Sequence, residues 1–148
     1  MKHIITAAVL AATLGVGTAS QALAEGKVHH VAVHVNQNDP KVMNMALNNV
    51  QNLTQYYESQ GDSAVVEVVA YGPGLNMLIP EKSPVADRIS AMSLENEQLS
   101  FSACGNTLRK MSAKAGKEVA LLEEASIVPS GVVRLVELQE QGFSYVRP

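Results

Sequence analysis

The chain has 148 residues, 47% of them hydrophobic, with 11 Lys and Arg against 14 Asp and Glu and a formal charge of −3. That length suits one domain with its own core. The acidic balance offers no basic face of the kind a nucleic-acid partner requires, so none is expected.

Met1-Lys2-His3 is a short basic head, Ile4 to Val16 is nearly all apolar, and Ala22-Leu23-Ala24 is a small-x-small cleavage site before Glu25. This is the pattern of a secretory signal peptide over residues 1–24. Its apolar run is shorter than the about 20 residues of a permanent span. No cysteine follows the cleavage site to take a lipid anchor. No later stretch is apolar and long enough to cross a membrane. The expectation is a soluble periplasmic protein with no membrane partner, folded as a single domain over residues 25–148.

Strand and helix then alternate. His29 to Asn36 (HHVAVHVN) is short and rich in valine, and reads as a strand. Asp39-Pro40 predicts an N-cap with proline at the first helical position. Val42, Ala46, Val50, Leu53 and Tyr57 follow at helical spacing, and Gly61 ends that helix. Ala64 to Tyr71 (AVVEVVAY) is a second strand, apolar enough to be covered on both faces. Gly72-Pro73-Gly74 breaks it, and Leu75 to Ile79 reads as a short helical turn. Ser83-Pro84 starts a helix with Val85, Ile89 and Met92 on one face. Leu99 to Ala103 is the third strand, and Cys104-Gly105-Asn106-Thr107 turns the chain into a helix from about Thr107 to Ala115. Ala125 to Val128 is the fourth strand. Pro129-Ser130-Gly131 leads into a helix with Val132, Leu135 and Val136 inward, ended by Gly142. Phe143 to Val146 is the last strand.

Such alternation implies an α/β fold, a doubly wound parallel sheet of five strands in three layers. Right-handed crossovers leave few topologies, the flavodoxin-like order among them. Sites in such sheets form at the carboxyl ends of the strands, where strand order reverses.

Cys104, the single cysteine, stands at the carboxyl end of the third strand and the start of a helix. The partial positive charge and free N–H groups of a helix N-terminus favour thiolate over thiol. Gly105 would let a substrate approach the backbone, and Asn106 or Thr107 would cap the helix or donate to a bound sulfur species. In a flavodoxin-like order the first and third strands are neighbours. His34 would then lie beside Cys104 and activate it, with Asn36 and the Gly72 loop bordering the same crevice. The competing reading makes Cys104 a small buried hydrophobe with a structural role. His30 and His34 share one face of a strand about 13 Å apart, too far to hold one metal between them, and no third ligand converges. Gly72-Pro73-Gly74 lacks the spacing of a dinucleotide or phosphate loop. No cofactor or metal is expected.

The first strand with its Asp-Pro and ALNN (Ala46 to Asn49), EVVAYGPGL (Glu67 to Leu75), FSACGNTL (Phe101 to Leu108), VPSGVVRLVELQEQG (Val128 to Gly142) and the closing FSYVRP resemble the DsrE/DsrF-like family of small sulfur-handling proteins, in its exported branch. The resemblance implies strand order 2-1-3-4-5 and assembly into homo-oligomers, trimers or hexamers. It also implies that the cysteine at the position of Cys104 accepts sulfane sulfur as a persulfide, as a sulfur carrier or sulfurtransferase, and passes it to a thiol-bearing acceptor protein. The alternative is a non-catalytic oligomeric binding or assembly module in which Cys104 only packs.

Overall fold

The structure is a computed structural model that describes residues 26–148; the expected signal peptide lies outside them. Its elements are β1 (Val28–Val35), α1 (Pro40–Ser59), β2 (Ser63–Ala70), a 3-10 segment (Gly72–Leu78), α2 (Ala86–Glu95), β3 (Leu99–Cys104), α3 (Gly105–Ala115), β4 (Ala125–Val128), α4 (Gly131–Glu140) and β5 (Ser144–Val146). The α1 start is as the sequence implies: Asp39 Oδ1 accepts the Lys41 N–H at 2.8 Å, with Pro40 at the first helical position. The strand ends shift by a residue and the 3-10 segment starts at Gly72; two helix starts differ more. α2 begins at Ala86, because the Ser83 hydroxyl instead accepts the Val85 N–H in a local turn. α3 begins at Gly105, so Cys104 is its N-cap residue. Among the described residues no helix is long and apolar enough to cross a membrane.

The sheet is five-stranded and parallel throughout, as expected, but its order is β4-β3-β2-β1-β5 and not 2-1-3-4-5. β2, not β1, lies beside β3. Three successive crossovers step the same way across the sheet. Being right-handed, they put α1, α2 and α3 on one face. α4 alone returns across the other face and sets β5 beside β1.

The two faces differ in chemistry. Under α1, α2 and α3, the strands present Val31, Val33, Val35, Val66, Val68, Ala70, Phe101 and Ala103, packed with Met43, Leu47, Val50 and Ile89. Under α4 they present Ala32 and Val69, against which Leu135 and Leu138 pack, together with the buried polar residues His34, Glu67 and Ser102 and with Cys104. Burial of each leucine contributes about 1.5–3 kcal/mol. The expected inward set of α4 is corrected: Leu135 and Leu138 point in, while Val132 and Val136 are 55% and 51% exposed. Two contacts set that rotation. Gly131 is pressed against Tyr71 and Cys104, and Arg134 reaches down to Glu67.

Candidate functional site

Cys104 closes β3 and caps α3, with only 4% of its surface exposed. Burial alone would push its thiol pKa up. The Thr107 hydroxyl and the backbone N–H groups of Gly131, Thr107 and Asn106 outweigh that, holding the thiol below its ordinary value of about 9. The thiol makes no capping hydrogen bond to the helix; these groups act on the charge that develops when it ionises. The donors come from the N-terminal turns of two helices, α3 and α4, so two positive helix ends face one sulfur.

Thr107 is fixed from the other side. Its Oγ1 accepts the Gly72 N–H at 2.9 Å, which leaves its own proton free to donate toward sulfur. Gly72, at φ +54°, needs the left-handed conformation to aim that N–H. Asn106 contributes through its backbone, since its side-chain oxygen is taken by Arg109. Gly105 has a different role from the one expected. A Cβ there would lie 3.0 Å from the Val128 carbonyl oxygen, so glycine serves the packing of α3 on β4. Cys104, Gly105, Asn106, Thr107 and Gly72 therefore form one cluster.

His34 and Asn36 lie elsewhere. With β2 intervening, the β1 and β3 backbones are about 10 Å apart, and the expected direct approach of His34 to Cys104 is not made. His34 Nδ1 shares a 2.6 Å hydrogen bond with the Tyr145 hydroxyl on β5. Its ring stacks on Tyr71 at 4.7 Å between centroids, and Nε2 is buried with no partner among the described residues. Burial, then the charge of Arg147, lowers its pKa. Asn36 accepts from Arg147 at 3.1 Å. The link to the cysteine is indirect: a Cβ on Gly131 would sit 2.9 Å from Tyr71 Cβ and 3.2 Å from Cys104 Cβ. His30 meets the edge of Phe143.

Tyr71, Gly131, Tyr145 and Arg147 were not singled out from the sequence. The glycine signal was present in VPSG, at the foot of a helix; the others required knowledge of the strand order. A further group is buried beneath α4. Glu67 on β2 accepts from Arg134 Nε at 2.8 Å and Nη2 at 2.7 Å, and from the Ser102 hydroxyl at 2.5 Å. Burial raises the Glu67 pKa, but the hydrogen bonds from Arg134 and Ser102 and the Arg134 charge bring it below the usual value. A separate surface hollow of about 180 Å³ lies between α1 and α2, lined by Gln51, Thr54, Met92 and Leu99 at the opposite end of the sheet.

No family model matches the chain, and no curated protein matches it. Among solved structures it is similar to a protein of unknown function, MTH1491 from Methanobacterium thermoautotrophicum, at 30% identity and a TM-score of 0.66, over 81% of this chain and 99% of that one. With that identity sustained over nearly all of the other protein's length, the chain belongs to the same family as MTH1491.

Proposed function

We propose that this protein is an exported sulfur carrier that holds sulfane sulfur as a persulfide on Cys104. One observation carries the reading: Cys104 caps the N-terminus of α3 and packs against Gly131 at the N-terminus of α4, so the positive ends of two helices favour its thiolate. The thiolate is the nucleophile in sulfur exchange. With thiosulfate as donor, the Cys104 thiolate attacks the sulfane sulfur. A new S–S bond forms, the old one breaks, and sulfite leaves with its electron pair. The Cys104 sulfur becomes the inner sulfur of the persulfide, and the negative charge passes to the outer sulfur, one S–S bond beyond it, beside the same two helix N-termini. An acceptor thiolate then takes the outer sulfur and returns the Cys104 thiolate. The DsrE/DsrF-like resemblance of FSACGNTL and VPSG supports the same chemistry, and with it a homo-oligomer and a thiol-bearing protein acceptor. His34 has no direct proton-transfer role in this scheme, being held to Tyr145.

The test is intact mass after exposure to thiosulfate or polysulfide. The expected result is a gain of about 32 Da that reductant removes and that Cys104→Ala lacks. No gain with either donor would refute the carrier role. The burial of Cys104 favours a second reading, an assembly module with a packing cysteine. In that case Cys104→Ala keeps its oligomeric state and its biological effect.

A further inference from the structure

Cys104 has almost no exposed surface, and what lies over it is the first turn of α4. Gly131 is itself buried, and even a methyl group there would collide with Tyr71 and crowd Cys104. Among the described residues α4 is the only helix on its face of the sheet, and it is tethered at the two opposite edges, to β4 and β5. Its middle and C-terminal half are held by Leu135 and Leu138. Its N-terminal half is held differently. There the residues between Gly131 and Leu135 that could anchor it, Val132 and Val133, point to solvent at 55% and 51% exposure. The inward connection is Arg134, bonded to Glu67 through two hydrogen bonds. Beyond the helix, Gly142 turns the chain at φ +90°. Before it, β4 is a four-residue edge strand.

We infer that α4 is a hinged strap over Cys104, latched at its N-terminal half by the Glu67–Arg134 pair, and that release of this latch is what admits a reagent to the cysteine. An element with few apolar anchors at one end and a single polar latch is a candidate for local opening well below the cost of global unfolding. The opposite face, with its continuous apolar core under three helices, is not. The Ser102 hydroxyl holds the far side of the same carboxylate, so Glu67 stays in place when Arg134 lets go. The inference concerns access to the thiol and holds whether or not Cys104 carries sulfur.

The experiment is the rate of Cys104 alkylation by iodoacetamide, an uncharged reagent, across sub-denaturing urea. In the native protein the labelling rate should depend only weakly on urea concentration, the mark of an opening that exposes little surface. Glu67→Gln keeps the shape and the bond to Ser102 but loses the charge that holds Arg134, and should speed labelling at zero urea by about tenfold or more. Val50→Ala, in the core under α1, lowers global stability without touching the strap, and should leave the zero-urea rate unchanged. A steep urea dependence in the native protein would mean access only by global unfolding and would overturn the inference. So would a Glu67→Gln rate equal to the native one, or an equal acceleration in Val50→Ala. Should Glu67→Gln not fold, the urea dependence of the native protein alone decides.

Discussion

Gly72 donates its backbone N–H to Thr107 Oγ1 across 2.9 Å, tying the turn after β2 to the first turn of α3. That bond orients the hydroxyl so that its proton is available to the Cys104 sulfur. Thr107→Val removes both functions at nearly constant volume. The thiol pKa should rise toward its ordinary value of about 9, and the lost hydrogen bond should cost about 1 kcal/mol. Thiolate ultraviolet absorbance against pH, with Cys104→Ser as blank, reads the pKa directly. The linkage has a definite sign. A thiol held below its unfolded value adds stability above about pH 9 and loses it as pH falls through the folded value. A native titration midpoint at or above 9 would contradict the site as described.

Gly131 is glycine because of what it touches, not because of its backbone angles, which any residue could adopt. Gly131→Ala would place a methyl group 2.9 Å from Tyr71 Cβ and 3.2 Å from Cys104 Cβ. Neither atom is the end of a flexible side chain, so α4 must shift. Overpacking of this kind costs about 1–3 kcal/mol. The urea midpoint of Gly131→Ala should fall accordingly at an unchanged slope. A midpoint equal to that of the native protein would show that the α4 N-terminus is looser than drawn.

The alternation of β-branched runs with helical spacing made the α/β class and nearly every element legible, and the strand–cysteine–glycine–helix junction located the thiol. Strand order was not legible, because periodicity within an element says nothing about which way its crossover steps. A trace of it was present in the faces. Val31, Val33 and Val35 alternate with Ala32 and His34, and Phe101 and Ala103 alternate with Ser102 and Cys104. One face is therefore uniformly apolar and the other mixed, as a sheet with three helices on one side and one on the other requires. The run GVVRLVEL misled for a related reason. Its valines and leucines fit several helical stripes, and the rotation was decided by Arg134 and Gly131, which an apolar count ignores.

Arg134 is the residue whose loss should show most clearly that α4 is docked by charge. Arg134→Met leaves Glu67, 7% exposed, as an uncompensated buried carboxylate, at a cost of about 3 kcal/mol at neutral pH. In the native protein Glu67 has a lowered pKa. It therefore contributes stability above its unfolded value of about 4.5, and this is lost as pH falls through the folded value. Without Arg134, burial dominates and the carboxyl takes up a proton readily. The deficit of Arg134→Met, measured by urea unfolding at a series of pH values, should be largest near pH 7 and shrink in acid. A deficit independent of pH would mean that the methionine harms packing and that the charge pair is incidental.

His34 gives the opposite test, a group that folding keeps neutral. Burial and the nearby Arg147 charge hold its pKa below the usual 6.5. The unfolded chain therefore binds a proton that the folded one refuses. Stability supplied by the neutral ring is complete above about pH 6.5 and is lost as pH falls below it. The imidazole Cε1 proton of His34 should titrate, by NMR, below 6.5. Arg147→Gln removes the second of the two causes but leaves the burial, so the midpoint should move up without reaching the ordinary value. Tyr145→Phe removes the partner of Nδ1 and leaves a ring with both nitrogens unpaired. That variant should lose stability at neutral pH, where the native ring is neutral and hydrogen-bonded. If the His34 midpoint lies at or above 6.5, or does not respond to Arg147→Gln, then β5 does not seat against β1 as the register Val31 to Ser144 requires.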